Sequence, residues 1–148
     1  MTPQPRTSDV HRQRREVVAD DIDLLGHASN VAYVRWIQDA AVAHSEAVGL
    51  GIEGYRSAGA VFVVRRHEVD YVRSAMLGDT LVVETWLETW SAATSSRRTR
   101  VLRGEEVLAR ALTNWAFIDH TTGRPTRIPE TIKAAFAARK EPDAPAGA

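Results

Sequence analysis

The sequence predicts an α+β fold in which a curved antiparallel sheet wraps around one long central helix. Three observations predict it. Residues 30–48 carry helical spacing over so wide an apolar arc that the helix has to be deeply buried. Four later stretches change to a period of two, the pattern of half-buried strands. Short turn signals separate those stretches, which makes them antiparallel neighbours, and a lone apolar helix needs a sheet to cover it.

Residues 12–19 read as a first strand. In the helix, "NVAYVRWIQDAAVAHSEAV", Val31, Val34, Ile37, Ala41 and Val48 follow helical spacing, and Tyr33, Trp36 and Ala40 widen the arc. Ser29 or Asn30 suits its N-cap, and Gly49 and Gly51 suit its end. Residues 61–73 and 79–90 are rich in β-branched and aromatic residues. In the second of these, Leu81, Val83 and Leu87 share one face while Glu84 and Glu88 share the other. Gly78-Asp79 marks the turn between the two stretches.

Residues 94–103 form a polar strand, and residues 106–118 alternate again, with Val107, Ala109, Ala111, Thr113, Trp115 and Phe117 on one face. A short helix follows over 129–138, with Pro129 in its first turn. The four strands are expected to form a meander. One helix leaves part of such a sheet open, so dimerisation through the sheet is expected. Residues 1–9 carry two prolines and no apolar periodicity, which predicts a flexible arm; residues 10–139 form the domain, and 140–148 a flexible tail.

The composition narrows the function. Nineteen basic residues balance nineteen acidic ones, so the chain as a whole gives no electrostatic argument for nucleic acid or an anionic membrane. The absence of cysteine removes disulfides, thiol nucleophiles and thiolate metal sites, and is compatible with a reducing cytoplasm. The N-terminus lacks the apolar core of a signal peptide, and no run of about 18 apolar residues predicts a membrane span. His11, His67 and His120 show no metal-ligand spacing.

The chemistry-bearing stretch is the junction before the helix. It runs Asp21-x-Asp23-x-x-Gly26-His27-x-x-Asn30-x-x-Tyr33-x-x-Trp36. Together with "YVRSAMLGDTLVVET" and "WAFIDHTTGRPTRIP", and with the order of elements, it resembles the hotdog-fold acyl-thioesterases. Within them it is similar to the 4-hydroxybenzoyl-CoA thioesterase-like family and to the plant acyl-carrier-protein thioesterases. The likeness spans roughly residues 12–132. It implies hydrolysis of an acyl-CoA or acyl-carrier-protein thioester in the cytoplasm, by a homodimer or homotetramer whose site lies at a subunit interface, with no metal or redox cofactor.

The family's catalytic carboxylate matches Asp23, and the histidine of the plant relatives matches His27. The asparagine those relatives place between the two is replaced here by Leu25, and the basic residues of some aryl-CoA relatives by Ser91, Ala92 and Ala93. In such a site Asp23 acts either as a base on water or as a nucleophile forming a mixed anhydride. The helix N-terminus, with roughly half a positive charge, would face the thioester carbonyl. Gly26 permits close backbone approach, His27 donates to the carbonyl or orients water, and Asn30 caps the helix or holds the same water. Tyr33 and Trp36, at helical spacing, are more often core than substrate walls, although Tyr33, in the first helical turn, would face the substrate.

Arg98 and Arg100 share a face of the polar strand. They are a phosphate- or carrier-binding row, against the plainer reading of a solvated face that blunts edge pairing. Two other functions stay open at this point: a non-catalytic hotdog module that binds acyl thioesters, and a hydratase or dehydratase on the same fold. The acid placed before the helix favours hydrolysis over the latter.

Overall fold

The computed structural model describes residues 6–137. Strand β1 spans His11–Glu16, helix α1 Asn30–Ala47, helix α2 Ile52–Ala58, β2 Ala60–Tyr71, β3 Thr80–Trp90, β4 Thr94–Arg103, β5 Glu106–Asp119 and helix α3 Glu130–Phe136. The strands form one five-stranded sheet in the order β1-β3-β4-β5-β2, antiparallel throughout.

The expected meander holds for β3, β4 and β5. It fails for β2, which pairs with β5 on the far edge rather than with β3. Residues 72–79 are too long for a tight hairpin, and they run under the start of α1, where Ala75 is fully buried. Gly78-Asp79 therefore ends a crossover instead of joining paired strands.

Ser29 caps α1, accepting the Ala32 N–H on its side chain at 3.2 Å. At the other end Gly49, at φ +84°, takes the left-handed position that closes the helix, and Leu50 N–H reaches back to Ser45 O at 2.8 Å. The buried row is Ala32, Tyr33, Trp36, Ile37, Ala40, Ala41 and His44. The row expected to start at Val31 is displaced: Val31 is 66% exposed, and Val42, on the same helical face, is exposed with it. Helix α2 escapes the periodicity reading because, in seven residues, it buries only Tyr55.

Two apolar clusters fill the space between α1 and the sheet. One gathers Tyr33, Trp36, Leu81, Val83, Val101 and Leu108; the other gathers Tyr55, Leu87, Phe117, Ile128, Ile132 and Phe136. Along β3 they are divided by Thr85, which contacts Thr99 and Arg97 in a buried polar layer. A register shift between Leu87 and Thr89 turns Trp90 to the Leu87 side.

The expected N-terminal arm is pinned where it meets the domain. Thr7 N–H donates to Leu87 O, and the fully buried Ser8 hydroxyl accepts the Leu87 N–H, each at 2.8 Å. The expected tail at 140–148 lies outside the described residues.

Candidate active site

The junction before α1 is built as a clamp. A 3-10 turn at Ala19–Asp21 buries Asp21, whose carboxylate accepts the Val18 N–H at 3.0 Å and whose carbonyl accepts the Ser29 N–H at 2.8 Å. Asp21 thus ties the incoming chain to the helix cap. The next residues fold back on themselves. Ile22 and Ala28 bridge, Asp23 N–H donates to His27 O at 3.0 Å, and Gly26 N–H donates to Asp23 O at 3.1 Å.

Asp23 and Gly26 are the first and last residues of this β-turn, where aspartate and glycine are favoured. Gly26 has φ +85°, a conformation that suits glycine. Asp23 Oδ1 accepts the Leu25 N–H at 2.9 Å, which rigidifies the turn. Its Oδ2 has no hydrogen-bond or ion-pair partner among the described residues.

His27 is half-buried and donates from Nδ1 to Ala28 O at 3.1 Å, so in the neutral ring Nε2 is left as an acceptor. Asn30 is the exposed first residue of α1; Ser29, not Asn30, is the cap. The Asn30 and Val31 N–H groups have no protein partner among the described residues, as expected for a helix start.

Of the two places open to Tyr33, the structure shows the core one rather than a substrate wall. It is buried in the core, donates to Arg73 O at 3.1 Å and accepts the Ala75 N–H at 2.8 Å. Its hydroxyl holds the crossover against α1, because a buried phenol needs polar partners and the crossover backbone supplies them. Around the Asp23 turn, Leu24 and Leu25 stand out at 106% and 78% exposure, with Val31, Met76 and Leu77 also exposed.

Within one chain Arg98 and Arg100 are not brought to this turn. They lie on the sheet face opposite the buried Arg97, Thr99 and Val101. Arg98 pairs with Glu88, and Arg100 with Glu84 at 3.3 Å. That row is largely neutralised by its own sheet.

Strand alternation hides a residue of another kind. Arg97 faces inward and is 4% exposed. Its Nη1 donates to His44 Nδ1 at 2.9 Å and to Thr85 Oγ1 at 3.0 Å. Burial pulls Arg97 down to about 10. Burial, then the Arg97 charge and then His11 pull His44 down to about 3, so His44 is neutral and accepts with Nδ1. The signal was present in the sequence: Arg97 shares its parity in β4 with Ser95, Thr99 and Val101. Among the described residues no cluster of three or more His, Cys, Asp or Glu is arranged to hold a metal ion, and no helix is long and apolar enough to cross a membrane.

A family model described as the thioesterase-like superfamily matches residues 17–136. The acyl-CoA thioesterase YbgC of Haemophilus influenzae is 35% identical over 75 residues, covering 51% of this chain and 55% of that protein. The match thus spans about half the length of that curated relative. Among solved structures, a putative oleoyl thioesterase from Lactobacillus plantarum aligns with a TM-score of 0.84 at 18% identity, over 89% of this chain and 52% of the other. A 1,4-dihydroxy-2-naphthoyl-CoA thioesterase from Synechocystis aligns with a TM-score of 0.79 at 20% identity, over 86% and 96%. These likenesses establish the hotdog fold.

Proposed function

The chain belongs to the thioesterase-like superfamily, and from that premise we propose that it hydrolyses acyl-CoA thioesters with Asp23 as the reacting carboxylate. One observation carries the assignment. Among the described residues, the turn fixes Asp23 through Oδ1 and leaves Oδ2 unpartnered, just ahead of a capped helix whose first N–H groups are free. A thioester carbonyl set between them meets a base on one side and positive dipole on the other.

In this reading Oδ2 takes a proton from water as the hydroxide oxygen bonds to the carbonyl carbon. The oxyanion is held by backbone N–H at the start of α1. The C–S bond then breaks, and the departing thiolate takes up a proton. The same oxygen attacking carbon directly would give a mixed anhydride that water then opens. His27 Nε2 orients the water, Gly26 lets the backbone approach the substrate, and Asn30 lies beside it.

The site is completed by a second copy of the chain. Leu24 and Leu25 expose apolar surface on the very turn that carries Asp23, Val31 exposes more at the start of α1, and a homodimer or homotetramer covering them would exclude water from the carbonyl. The carrier is coenzyme A or an acyl-carrier protein, reached by Arg98 and Arg100 across that interface, and the setting is the cytoplasm.

Thiol release across a panel of acyl-CoA substrates tests the function, with Asp23→Asn alongside. Release by wild type and a loss of about a hundredfold or more in the variant supports it. Tight acyl-CoA binding without release gives the chain a binding role instead, and an Asp23→Asn protein with normal turnover removes the mechanism.

A further inference from the structure

The C-terminal half of α1 covers a cavity of about 290 Å³. Val42, Leu50, Phe62, Leu87, Trp90 and Phe136 give it apolar walls. Its size is at the lower end of the roughly 300–1,000 Å³ of small-molecule sites, suited to an acyl or aryl group. Along α1 it lies about 20 Å from the Asp23 turn, taking the rise from Asn30 to His44.

Arg97 lines this cavity with a charge that no described residue compensates. Among the described residues its hydrogen bonds run from Nη1 to neutral groups, His44 and Thr85, and its guanidinium sits 5.9 Å from the centre of the Phe136 ring. Among the described residues no carboxylate pairs with it; Glu46, also on the lining, is exposed to solvent. The remaining polar groups of the lining are neutral. Ser45 and Tyr55 satisfy each other at 2.8 Å, and the buried Trp115 Nε1–H has no partner among the described residues.

A buried cation without a counter-ion is costly, and the cost is removed by an anion that fits the space. We propose that this cavity is a binding site for an apolar carboxylate, with the acid group on Arg97 and the hydrocarbon or aryl body against the walls. One guanidinium presents two parallel N–H groups to a carboxylate and matches its single charge, whereas a phosphate dianion brings a second charge and Arg97 is the one cationic side chain on the lining. The carboxylate belongs either to a free acid or to the far end of an acyl chain. The assignment rests on Arg97 and its surroundings and stands apart from the hydrolytic reading.

The test titrates the full-length protein with octanoate and, separately, with 1-octanol, following the change in tryptophan fluorescence, to which Trp90 and Trp115 on the lining contribute. Octanoate is expected to bind wild type at least about tenfold tighter than 1-octanol, the increment of a charge-assisted hydrogen bond. Arg97→Met is expected to abolish that preference, and Arg97→Lys to keep part of it. Equal binding of the two probes by wild type overturns the proposal without recourse to any variant, as does undiminished octanoate binding by folded Arg97→Met. Displacement of octanoate by suberoyl-CoA assigns the carboxylate to an acyl group, and octanoate binding that suberoyl-CoA leaves unchanged assigns it to a free acid; both keep the site. Because the readout is binding, absence of thioesterase activity leaves the result interpretable.

Discussion

His44 accepts a hydrogen bond from Arg97 at 2.9 Å, and the imidazole of His11 stacks on its ring with centroids 5.3 Å apart. A guanidinium and two histidines thus share one end of the core with no carboxylate between them among the described residues. The arrangement is tolerated because His44 stays neutral, which turns one of its nitrogens into an acceptor for the only permanent charge.

That neutrality fixes a pH dependence. The ordinary histidine value is 6.5, and the folded value is about 3. Below about pH 6.5 the unfolded chain binds a proton at position 44 that the native chain refuses, so stability falls as pH falls through that window. The slope from this residue is ~1.4 kcal/mol per pH unit once the unfolded histidine is charged. His11 and His67 are lowered too, chiefly by burial, and add in the same direction. His44→Gln keeps an acceptor for Arg97 and removes the titration. Urea unfolding between pH 7 and pH 5 is expected to show a shallower loss of stability in the variant than in wild type.

Gly26 separates backbone conformation from side-chain space. A Cβ there meets nothing within 4 Å, but φ is +85°. Gly26→Ala is therefore expected to cost about 1–2 kcal/mol through backbone strain alone. Gly26→Asn, which tolerates that conformation better, is expected to cost less. Because the same turn holds Asp23, thiol release should fall in the order of the strain, glycine above asparagine above alanine.

Leu25 tests whether the Asp23 turn is an interface. An apolar tip at 78% exposure is unfavourable in water and normal beneath a partner. Light scattering is expected to give wild type the mass of a dimer or a larger assembly. Leu25→Asp is expected to shift that mass toward one chain and lose thiol release, since a charge at a buried contact is costly. A wild-type protein that runs as a single chain at micromolar concentration would refute the shared site.

Much of the fold was legible because it rests on local periodicity. The bounds of α1, β3, β4 and β5 follow from alternation and caps, and those signals survive into the folded chain. The pairing of β2 was not legible, since nothing local in residues 72–79 says which edge the strand reaches; that is decided by Ala75 and the Arg73 carbonyl docking on Tyr33. The site divides in the same way. The Asp23 turn announces itself through the spacing of aspartate and glycine. Tyr33 was open to two readings because its first-turn position is common to two faces of a helix, and only tertiary contact selects the inner one. Arg97 stood in a run of arginines, where charge suggested a solvated face and parity pointed inward.

Ser8 carries the last prediction, at the edge of a segment whose composition suggested no structure. Its hydroxyl is fully buried and is the acceptor for the Leu87 N–H, at the place where the β3 register shifts and the ladder with β4 is interrupted. Thr7 N–H returns the bond to Leu87 O. Ser8→Ala leaves the Leu87 amide buried without a partner, which costs about 1–3 kcal/mol. Deleting residues 1–9 removes both bonds and exposes Leu87 as well, so its cost is expected to exceed that of the point variant. Thermal unfolding of the two variants beside wild type checks the order: a Ser8→Ala protein as stable as wild type would show that the segment adds no stability through this hydroxyl.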